Sequence, residues 1–316
     1  MAVALVATAV VGCSNAPGSQ STTPVLLVLD FLPGGIHSGI FAAEGEGFFA
    51  DEGLEMEIQT PASAADTLRL VLAGRADIGI APLPDVAGLR ADGEDVVVFM
   101  ALEQVPLGAL LSTESIGVTD PSQLEDGTIG VTGAPSDEAI TRVILEESGV
   151  DPSSADLITI GFDAVPNLLS GSVDAAFGFW SSEAVALELE GEVPVVFRPD
   201  EYGAPPYPEL VLFATGSTVE RRGPMLAEFA RALGRGYLLA IDDPDAAVAH
   251  LTTAVDGVDA AFARAELDKV APHLVGPDGG YGEITEDGIA DYLAWAAEVG
   301  VIEAVPDDLV DPSFLP

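Results

Sequence analysis

Short apolar runs alternate along this chain with segments whose apolar residues recur at helical spacing. The run VLLVLDF at 25–31 is almost continuously apolar, which predicts a strand buried on both faces of a sheet. Beyond it, Leu68, Val71 and Leu72 recur at helical spacing and predict a helix that begins at Ser63. Further strands are predicted at 55–61, 77–82 and 95–102, and a further helix at 83–93. This order predicts a mainly parallel sheet with helices on both faces.

The same pattern restarts after residue 127. Strands are predicted at 128–133, 156–162, 174–180 and 193–197, and an amphipathic helix at 136–149. After a strand at 209–215 the chain turns helical, with Pro224 at a first turn and Pro244 just past a helix end. Two α/β blocks and a helical tail predict an α/β protein of two lobes with a ligand cleft between them.

The composition is consistent with two lobes and limits the classes of partner. The chain has 316 residues, of which 48% are hydrophobic, and this length exceeds the size of one ordinary core. Its 52 acids and 11 bases give a formal charge of −41, which repels nucleic acid and anionic lipid headgroups. We therefore expect no nucleic-acid partner. Cys13 is the only cysteine, so no disulfide can form within the chain.

Cys13 also ends a short apolar segment. The sequence MAVALVATAVVGC is followed by SNAPGSQSTTP, a polar stretch without periodicity. Twelve residues are too few to cross a bilayer, which takes about 20. A small residue and a glycine before a cysteine resemble a bacterial lipoprotein signal, although the usual Lys or Arg near the start is missing. The resemblance implies a signal over 1–13 with a lipid on Cys13, a flexible tether over 14–24, and a protein anchored outside the cytoplasmic membrane. The alternative is an apolar N-terminus without such a role.

The loops after the predicted strands carry the candidate chemistry, because ligands of open α/β sheets bind outside the carboxyl ends of the strands. These loops are rich in aromatic rings, acids and amides, whereas Arg198 is their only cationic residue. Flat rings can stack on the aromatic side chains, and exocyclic N–H groups can donate to the carboxylates. The pattern suits a flat ligand that is neutral or amino-bearing. The candidate ligand contacts are Asp30, Phe31, Gln59, Asp85, Gln104, Phe179, Trp180, Glu183, Tyr202 and Tyr207.

Common catalytic and metal-binding patterns are missing from the sequence. It holds no GxSxG, no phosphate-binding P-loop and no HExxH. Its three histidines, His37, His250 and His273, are too far apart for a short metal-ligand spacing. We therefore expect neither catalytic residues nor a bound metal.

Six segments, in this order, resemble one protein family. They are LDFLPGGIHSGIFAAEGEGFFADEGLEMEI (29–58), PASAADTLRLVLAGRADIGIAPLPDVAGLRADG (61–93), ALEQVPLGALLS (101–112), LLSGSVDAAFGFWSSEAVAL (168–187), DEYGAPPYPELVLFATG (200–216) and GVIEAVPDDLVDPSFLP (300–316). They are similar to the solute-binding proteins that serve ABC importers of thiamine-pyrimidine precursors. The resemblance implies a type II periplasmic-binding-protein fold, in which two α/β lobes joined by two crossover strands close on a ligand. It places the crossovers near 106–111 and 208–213.

The resemblance also implies lobe boundaries and partners. Lobe 1 would comprise 25–110 and 209–316, and lobe 2 would comprise 111–208. The ligand would be a thiamine-related aminopyrimidine of the hydroxymethylpyrimidine or formylaminopyrimidine type. The protein would be a monomer without a cofactor that delivers this ligand to an ABC permease and its ATPase subunits.

Individual positions take expected roles from the same resemblance. Phe31 and His37 match an aromatic wall and a histidine of the family's first loop, and Glu183 matches its pyrimidine-binding glutamate. His37, and Pro106 in the first crossover, therefore join the candidate ligand contacts. Gly34 stands where the family often has asparagine, which removes a hydrogen-bonding side chain from the first loop.

The resemblance extends to pyrimidine synthases, which carry pyridoxal phosphate on a lysine and sacrifice an active-site histidine. The positions that match these two residues hold Ala81 and Asp85. The only lysine, Lys269, lies far along the chain in a C-terminal helix, and the synthases' cysteine-rich iron motif is missing. A Schiff base requires an amine, so we expect the protein not to be an enzyme of this kind.

Two other interpretations stay open. Binders of sulfonate or taurine, of nitrate and of riboflavin share the fold. An oxyanion site relies on helix N-termini and Arg, which the acidic loops do not favour, whereas flat riboflavin is compatible with the aromatic loops. A sensory module that reports its ligand to a membrane kinase is the other interpretation, and it would need a separate partner.

Overall fold

The computed structural model of the chain describes residues 22–276 and 279–315. Cys13 and most of the predicted tether lie outside these residues. The strands are β1 (Thr23–Val28), β2 (Leu54–Gln59), β3 (Ile78–Pro82), β4 (Val96–Ala101), β5 (Gly108–Thr113), β6 (Thr128–Val131), β7 (Asp156–Thr159), β8 (Ala175–Phe179), β9 (Pro194–Phe197) and β10 (Leu210–Thr215). The helices are α1 (Ser38–Gly45), α2 (Phe48–Asp51), α3 (Asp66–Leu72), α4 (Leu83–Ala91), α5 (Pro135–Glu147), α6 (Ala164–Ser170), α7 (Glu183–Leu189), α8 (Gly216–Asp242), α9 (Pro244–Ala254), α10 (Ala260–Val270) and α11 (Glu286–Glu298). None of the helices in this described part of the chain has the length and apolar character needed to cross a bilayer.

Two five-stranded sheets have the same topology. In the first, of order β2-β1-β3-β10-β4, β1 is parallel to β2 and β3, whereas β10 is antiparallel to β3 and β4. In the second, of order β7-β6-β8-β5-β9, β6 is parallel to β7 and β8, whereas β5 is antiparallel to β8 and β9. Strand β5 follows β4 of the first sheet along the chain but belongs to the second sheet. Strand β10 follows β9 of the second sheet along the chain but belongs to the first. The predicted α/β architecture with two crossover strands is confirmed.

Strand β1 is largely buried on both faces, as its nearly continuous apolar run predicted, whereas the edge strand β2 exposes Glu55 and Glu57. Successive side chains of a strand point to opposite faces. In β1, Leu27 therefore packs in a cluster with Phe229 of α8, and Val28 packs in a second cluster with Tyr292 of α11. Helices cover both faces of the first sheet, so the loops at its strand ends are the part that can form a ligand site.

Buried carboxylates tie the two crossovers together. The Glu209 Oε2 atom accepts hydrogen bonds from the backbone N–H groups of Leu107 and Gly108, at 3.1 and 3.0 Å. The Glu103 Oε1 atom accepts from the N–H of Leu210 at 2.7 Å. Burial raises the pKa of both glutamates. Each crossover thus supplies a carboxylate to the backbone of the other, which holds the two connections side by side.

Several predicted bounds differ from the structure. Helix α3 begins at Asp66 rather than Ser63, because the Asp66 N–H donates to the Ser63 carbonyl and closes a turn before the helix. The predicted place of Pro224 is confirmed: α8 is kinked at Arg222 (φ −128°, ψ 22°), and Pro224 lies in the first turn after the kink, where its missing N–H has no partner to lose. Thr23, predicted to belong to the tether, begins β1.

The division of the chain into lobes stays a prediction. The proposed boundary at 110/111 falls inside β5, which lies as a whole in the second sheet. Below, lobe 1 denotes the first sheet with α1–α4 and α8–α11, and lobe 2 denotes the second sheet with α5–α7.

Candidate functional site

One cavity lies between the lobes, where β1, β3, β6 and β8 end. It holds about 760 Å³ of empty space, part of which is open solvent. Both lobes contribute to its lining, and the contribution of lobe 1 includes residues of α10. Of the residues predicted from the sequence, Asp30, Phe31, His37, Phe179 and Glu183 line it.

The loop after β1 is held by a buried histidine. The Nδ1 atom of His37 accepts a hydrogen bond from the Gly34 N–H at 3.1 Å, so this nitrogen carries no proton. The proton of the neutral ring is therefore on Nε2, which lies 2.9 Å from Asp30 Oδ1 and donates to it. His37 lines the cavity while both of its ring nitrogens are engaged inside the loop. Its role in contacting ligand stays a prediction, and the observed bonds give it a positioning role.

Glu183 stands in the first turn of α7, directly beyond β8. Its Oε2 atom accepts from the N–H of Phe179 at 2.7 Å, which fixes the carboxyl group at the wall of the cavity. The residue is only 8% exposed. Burial raises the pKa of Glu183 to about 7, and the negative charges of Glu266 and Asp30 add to this increase. A hydrogen-bond donor or a positive charge on a ligand would favour the ionised form.

A second acid of lobe 2 lines the cavity next to β6. Asp137 lies in the first turn of α5, and its Oδ2 atom accepts from the Thr132 N–H at 2.9 Å and from the Thr132 hydroxyl. Burial raises the pKa of Asp137 to about 7. Asp137 was not among the ligand contacts predicted from the sequence.

Asp85 joins the lobes rather than lining the cavity. It lies in the first turn of α4, and its Oδ1 atom accepts from the N–H of Ser136 at the start of α5, at 2.8 Å. Its Oδ2 atom is buried and has no hydrogen-bond partner within the described residues. Burial, and next the charge of Asp137, raise the pKa of Asp85 to about 7. Asp85, which was predicted to contact the ligand, therefore bonds the two lobes together instead.

Two phenylalanine rings from different lobes meet at the cavity. Phe31 of lobe 1 and Phe162 of lobe 2 have ring centroids 4.2 Å apart and planes inclined by 60°. Both rings line the cavity and are half-buried. Together with Phe179 they provide flat apolar surfaces for an aromatic ligand.

The predicted contacts at and next to the first crossover lie outside the cavity lining. The Trp180 indole N–H donates to the Pro106 carbonyl at 2.9 Å, and its ring lies beneath the Arg198 guanidinium at 5.2 Å. Trp180 directly follows the last residue of β8, and these two contacts hold its ring outside the cavity that its neighbour Phe179 lines. The Gln104 amide donates to the Glu283 carbonyl at 3.1 Å.

The remaining predicted contacts also lie elsewhere. Tyr207 is in the core: its ring stacks on Tyr292 at 3.7 Å, and its hydroxyl donates to Glu209 Oε2 at 3.0 Å. Tyr202 ends a short 3₁₀ turn and packs on the core of lobe 2. Gln59 is the last residue of β2 and does not line the cavity.

Helix α10 brings two residues to the cavity that sequence reasoning missed. Glu266 and Val270 line it, although they lie far along the chain from the other lining residues. Lys269 is therefore closer to the site than its sequence position suggested. Its amine nevertheless lies outside the lining, 3.8 Å from Glu188 Oε1, with the side chain 45% exposed.

The cavity is acidic and lacks cationic side chains. Asp30, Asp137, Glu183 and Glu266 line it, and within the described residues no lysine or arginine does so. The described part of the chain also holds no cluster of three or more His, Cys, Asp or Glu side chains able to bind a metal ion. Carboxylates without cations recognise N–H donors, and the phenylalanines recognise a flat ring.

Comparison with known proteins links this geometry to one family. A family model described as NMT1/THI5 like matches residues 35–247. The formylaminopyrimidine-binding protein of Halalkalibacterium halodurans is 28% identical over 287 residues, which cover 89% of this chain and 87% of that protein. A 4-amino-5-hydroxymethyl-2-methylpyrimidine phosphate synthase of Saccharomyces cerevisiae is 26% identical over 170 residues, 54% of this chain and 50% of the synthase.

Solved structures confirm the fold. The alkanesulfonate-binding protein SsuA from Xanthomonas axonopodis pv. citri superposes with a TM-score of 0.69 and covers 93% of this chain and 98% of its own. At 14% sequence identity this likeness concerns the fold alone. The two-lobed periplasmic-binding architecture that the sequence predicted is thus confirmed.

Proposed function

Because the chain belongs to the NMT1/THI5-like family, we propose that it is a solute-binding protein that captures an amino-substituted pyrimidine. The ligand would be of the formylaminopyrimidine or hydroxymethylpyrimidine type, and an ABC permease with its ATPase subunits would receive it. The relative that binds formylaminopyrimidine covers nearly all of the chain, which supports a binding role for the whole protein.

The observation that carries this proposal is the character of the cavity lining. Glu183 from lobe 2 and Glu266 from α10 face the same space as the rings of Phe31, Phe162 and Phe179. An aminopyrimidine offers a flat ring to the phenylalanines and exocyclic N–H donors to the carboxylates. Because both lobes supply contacts, bound ligand would hold the cleft closed.

Sulfonate and nitrate match this lining poorly. An oxyanion needs N–H donors or guanidinium groups, whereas the described lining offers four carboxyl groups and no arginine. Riboflavin is flat and is the second candidate, since the aromatic rings at the cavity do not discriminate against it. Binding measurements separate these ligands.

A role in binding rather than synthesis is also part of the proposal. A pyridoxal phosphate enzyme needs a lysine amine at the site, but Ala81 stands at the matching position and the only lysine pairs with Glu188 outside the lining. The residues present therefore do not fit that cofactor. The yeast synthase shares about half of its length with this chain, and the activity of the whole synthase does not transfer with that half.

We expect the purified protein, residues 17–316, to be stabilised by aminopyrimidines and not by taurine or nitrate. A ligand at 100 times its dissociation constant adds about 2.7 kcal/mol to the free energy of unfolding. Thermal unfolding is measured with formylaminopyrimidine, hydroxymethylpyrimidine, thiamine, riboflavin, taurine and nitrate, and positive shifts are followed by calorimetry. A shift with riboflavin alone would replace the proposed ligand, and a shift with taurine or nitrate alone would reject the amino-ring site.

We further propose that the protein works outside the cytoplasmic membrane, held there by a lipid on Cys13. The periplasmic-binding fold supports the location, whereas the lipid rests on the sequence around Cys13, which lies outside the described residues. In a bacterial host, Cys13→Ser is expected to move the protein from the membrane fraction to the soluble fraction. Fractionation followed by immunoblotting measures this, and membrane attachment that survives the substitution would reject the lipid anchor.

A further inference from the structure

Two glycines of the first loop lie directly against α10. Gly34 and Gly35 are both buried. A Cβ atom at Gly35 would come within 2.1 Å of the Ala263 carbonyl oxygen, and a Cβ atom at Gly34 within 2.8 Å of Glu266 Oε2. The loop therefore needs glycine at position 35, where the backbone of α10 blocks any side chain, whereas the end of the Glu266 side chain fills the space at position 34.

The carboxylate of Glu266 occupies the space into which a side chain at position 34 would project. Its Oε2 atom accepts a hydrogen bond from the Gly35 N–H at 2.7 Å. The residue is 4% exposed and lines the cavity. The polar group missing from Gly34 is thus supplied by α10, and it is an acid, which can only accept hydrogen bonds when ionised.

Glu183 lines the same cavity from the opposite lobe. The two carboxyl groups are close enough for the charge of Glu266 to raise the pKa of Glu183. Burial raises the pKa of Glu266 itself. Within the described residues, no lysine or arginine of the lining compensates the pair, so N–H donors from a ligand would stabilise both ionised groups.

We propose that Glu266 is a second carboxylate contact to the ligand, in addition to Glu183, and that the pair selects an amino group over an oxo group on the ring. This inference rests on the proposed function. An exocyclic amino group carries two N–H donors, whereas an oxo group at the same position presents lone pairs that ionised carboxylates repel. Discrimination is large when a buried polar group would be left unpaired.

The test compares two probes that carry an amino or an oxo group at the same ring carbon; the oxo probe also carries a proton on a ring nitrogen. They are 4-amino-5-hydroxymethyl-2-methylpyrimidine and its 4-oxo counterpart, and binding of each is measured by calorimetry. Glu266→Gln keeps an oxygen that can accept from the Gly35 N–H, but it loses the charge and gains an N–H₂ donor. We expect it to weaken binding of the amino probe about tenfold and to leave the oxo probe equal or tighter, so that the preference for amino falls at least tenfold.

Two further variants separate recognition from folding. Asp268→Asn removes an exposed acid of the same helix, which pairs with Arg264, and is expected to leave both affinities unchanged. Glu266→Asp keeps the charge on a shorter side chain, and it is expected to retain the preference for the amino probe even if both affinities fall. This variant keeps the test decisive should Glu266→Gln fold poorly.

The outcomes are distinct. Equal losses for both probes in Glu266→Gln, which leave the preference for amino unchanged, would show that Glu266 only holds the first loop; this would overturn the inference while leaving the proposed function intact. A preference lost in Glu266→Asp as completely as in Glu266→Gln would show that the negative charge does not set the selectivity, and it would overturn the inference as well. Failure of the unsubstituted protein to bind either probe would instead reject the proposed function and this inference with it.

Discussion

Replacing Glu183 by Gln is expected to weaken binding of the best aminopyrimidine between about tenfold and a hundredfold, since a hydrogen bond to a charged group contributes about 1.5–3 kcal/mol. The Oε2 atom of Glu183 is held by the Phe179 N–H at 2.7 Å. The amide oxygen of Gln can accept the same bond, so the substitution removes charge with little change of shape. Calorimetry with the amino and oxo probes measures the loss.

The same helix provides a matched control. Glu190 is exposed and directly follows the last residue of α7, at the opposite end from Glu183. Glu190→Gln removes one acid from the protein without touching the cavity, so it is expected to bind ligand as tightly as the parent. If Glu183→Gln also binds as tightly, Glu183 does not anchor the ligand, and the case for an aminopyrimidine weakens with it.

The cavity residues that lie just after β1 and β8 could be predicted from the sequence. Carboxyl ends of parallel strands meet at one edge of a sheet, so Asp30 and Phe31 after β1, and Phe179 and Glu183 at the end of β8, were expected at the cleft and line it. Phe162 follows the end of β7, so the same rule applies to it, although it was not among the predicted contacts.

Two ligand contacts predicted from positions near strand ends, Tyr207 and Trp180, do not line the cavity. Tyr207 precedes β10, which runs antiparallel to its neighbours, so the rule for carboxyl ends does not apply and the ring packs in the core. Trp180 lies one residue beyond the end of β8, and its indole N–H bonds to the Pro106 carbonyl instead of lining the cavity.

Glu266 could not have been predicted from local sequence. It lies 231 positions from Gly35, to which it bonds, and its helix resembles any amphipathic surface helix. The one signal was the pair Gly34-Gly35, which indicates a close approach by another part of the chain without saying which part. Only the packing of α10 against the first loop identifies the partner.

Raising the pH from 5 to 8 is expected to lower the free energy of unfolding of the ligand-free protein by several kcal/mol, because one pKa unit corresponds to about 1.4 kcal/mol per group. Burial raises the pKa of Asp85, Asp137 and Glu183 to about 7. The folded protein therefore holds protons that the unfolded chain, with ordinary carboxyl groups, has already released. Their contribution to stability is complete below the ordinary pKa near 4 and is lost as the pH rises through 7.

Urea unfolding at pH 5, 6, 7 and 8 measures this decline. The experiment is done in 1 M NaCl, where the Debye length is about 3 Å, because the formal charge of −41 would otherwise add general repulsion. Asp137→Asn removes one titrating group and keeps an oxygen for the Thr132 N–H, so its decline should be shallower. Asp268→Asn, on the exposed side of α10, should follow the parent. Stability that is constant or rises between pH 5 and 8 would mean that these carboxyl groups are already ionised in the folded cleft, and the lining would then bind cationic rings without taking up or releasing protons.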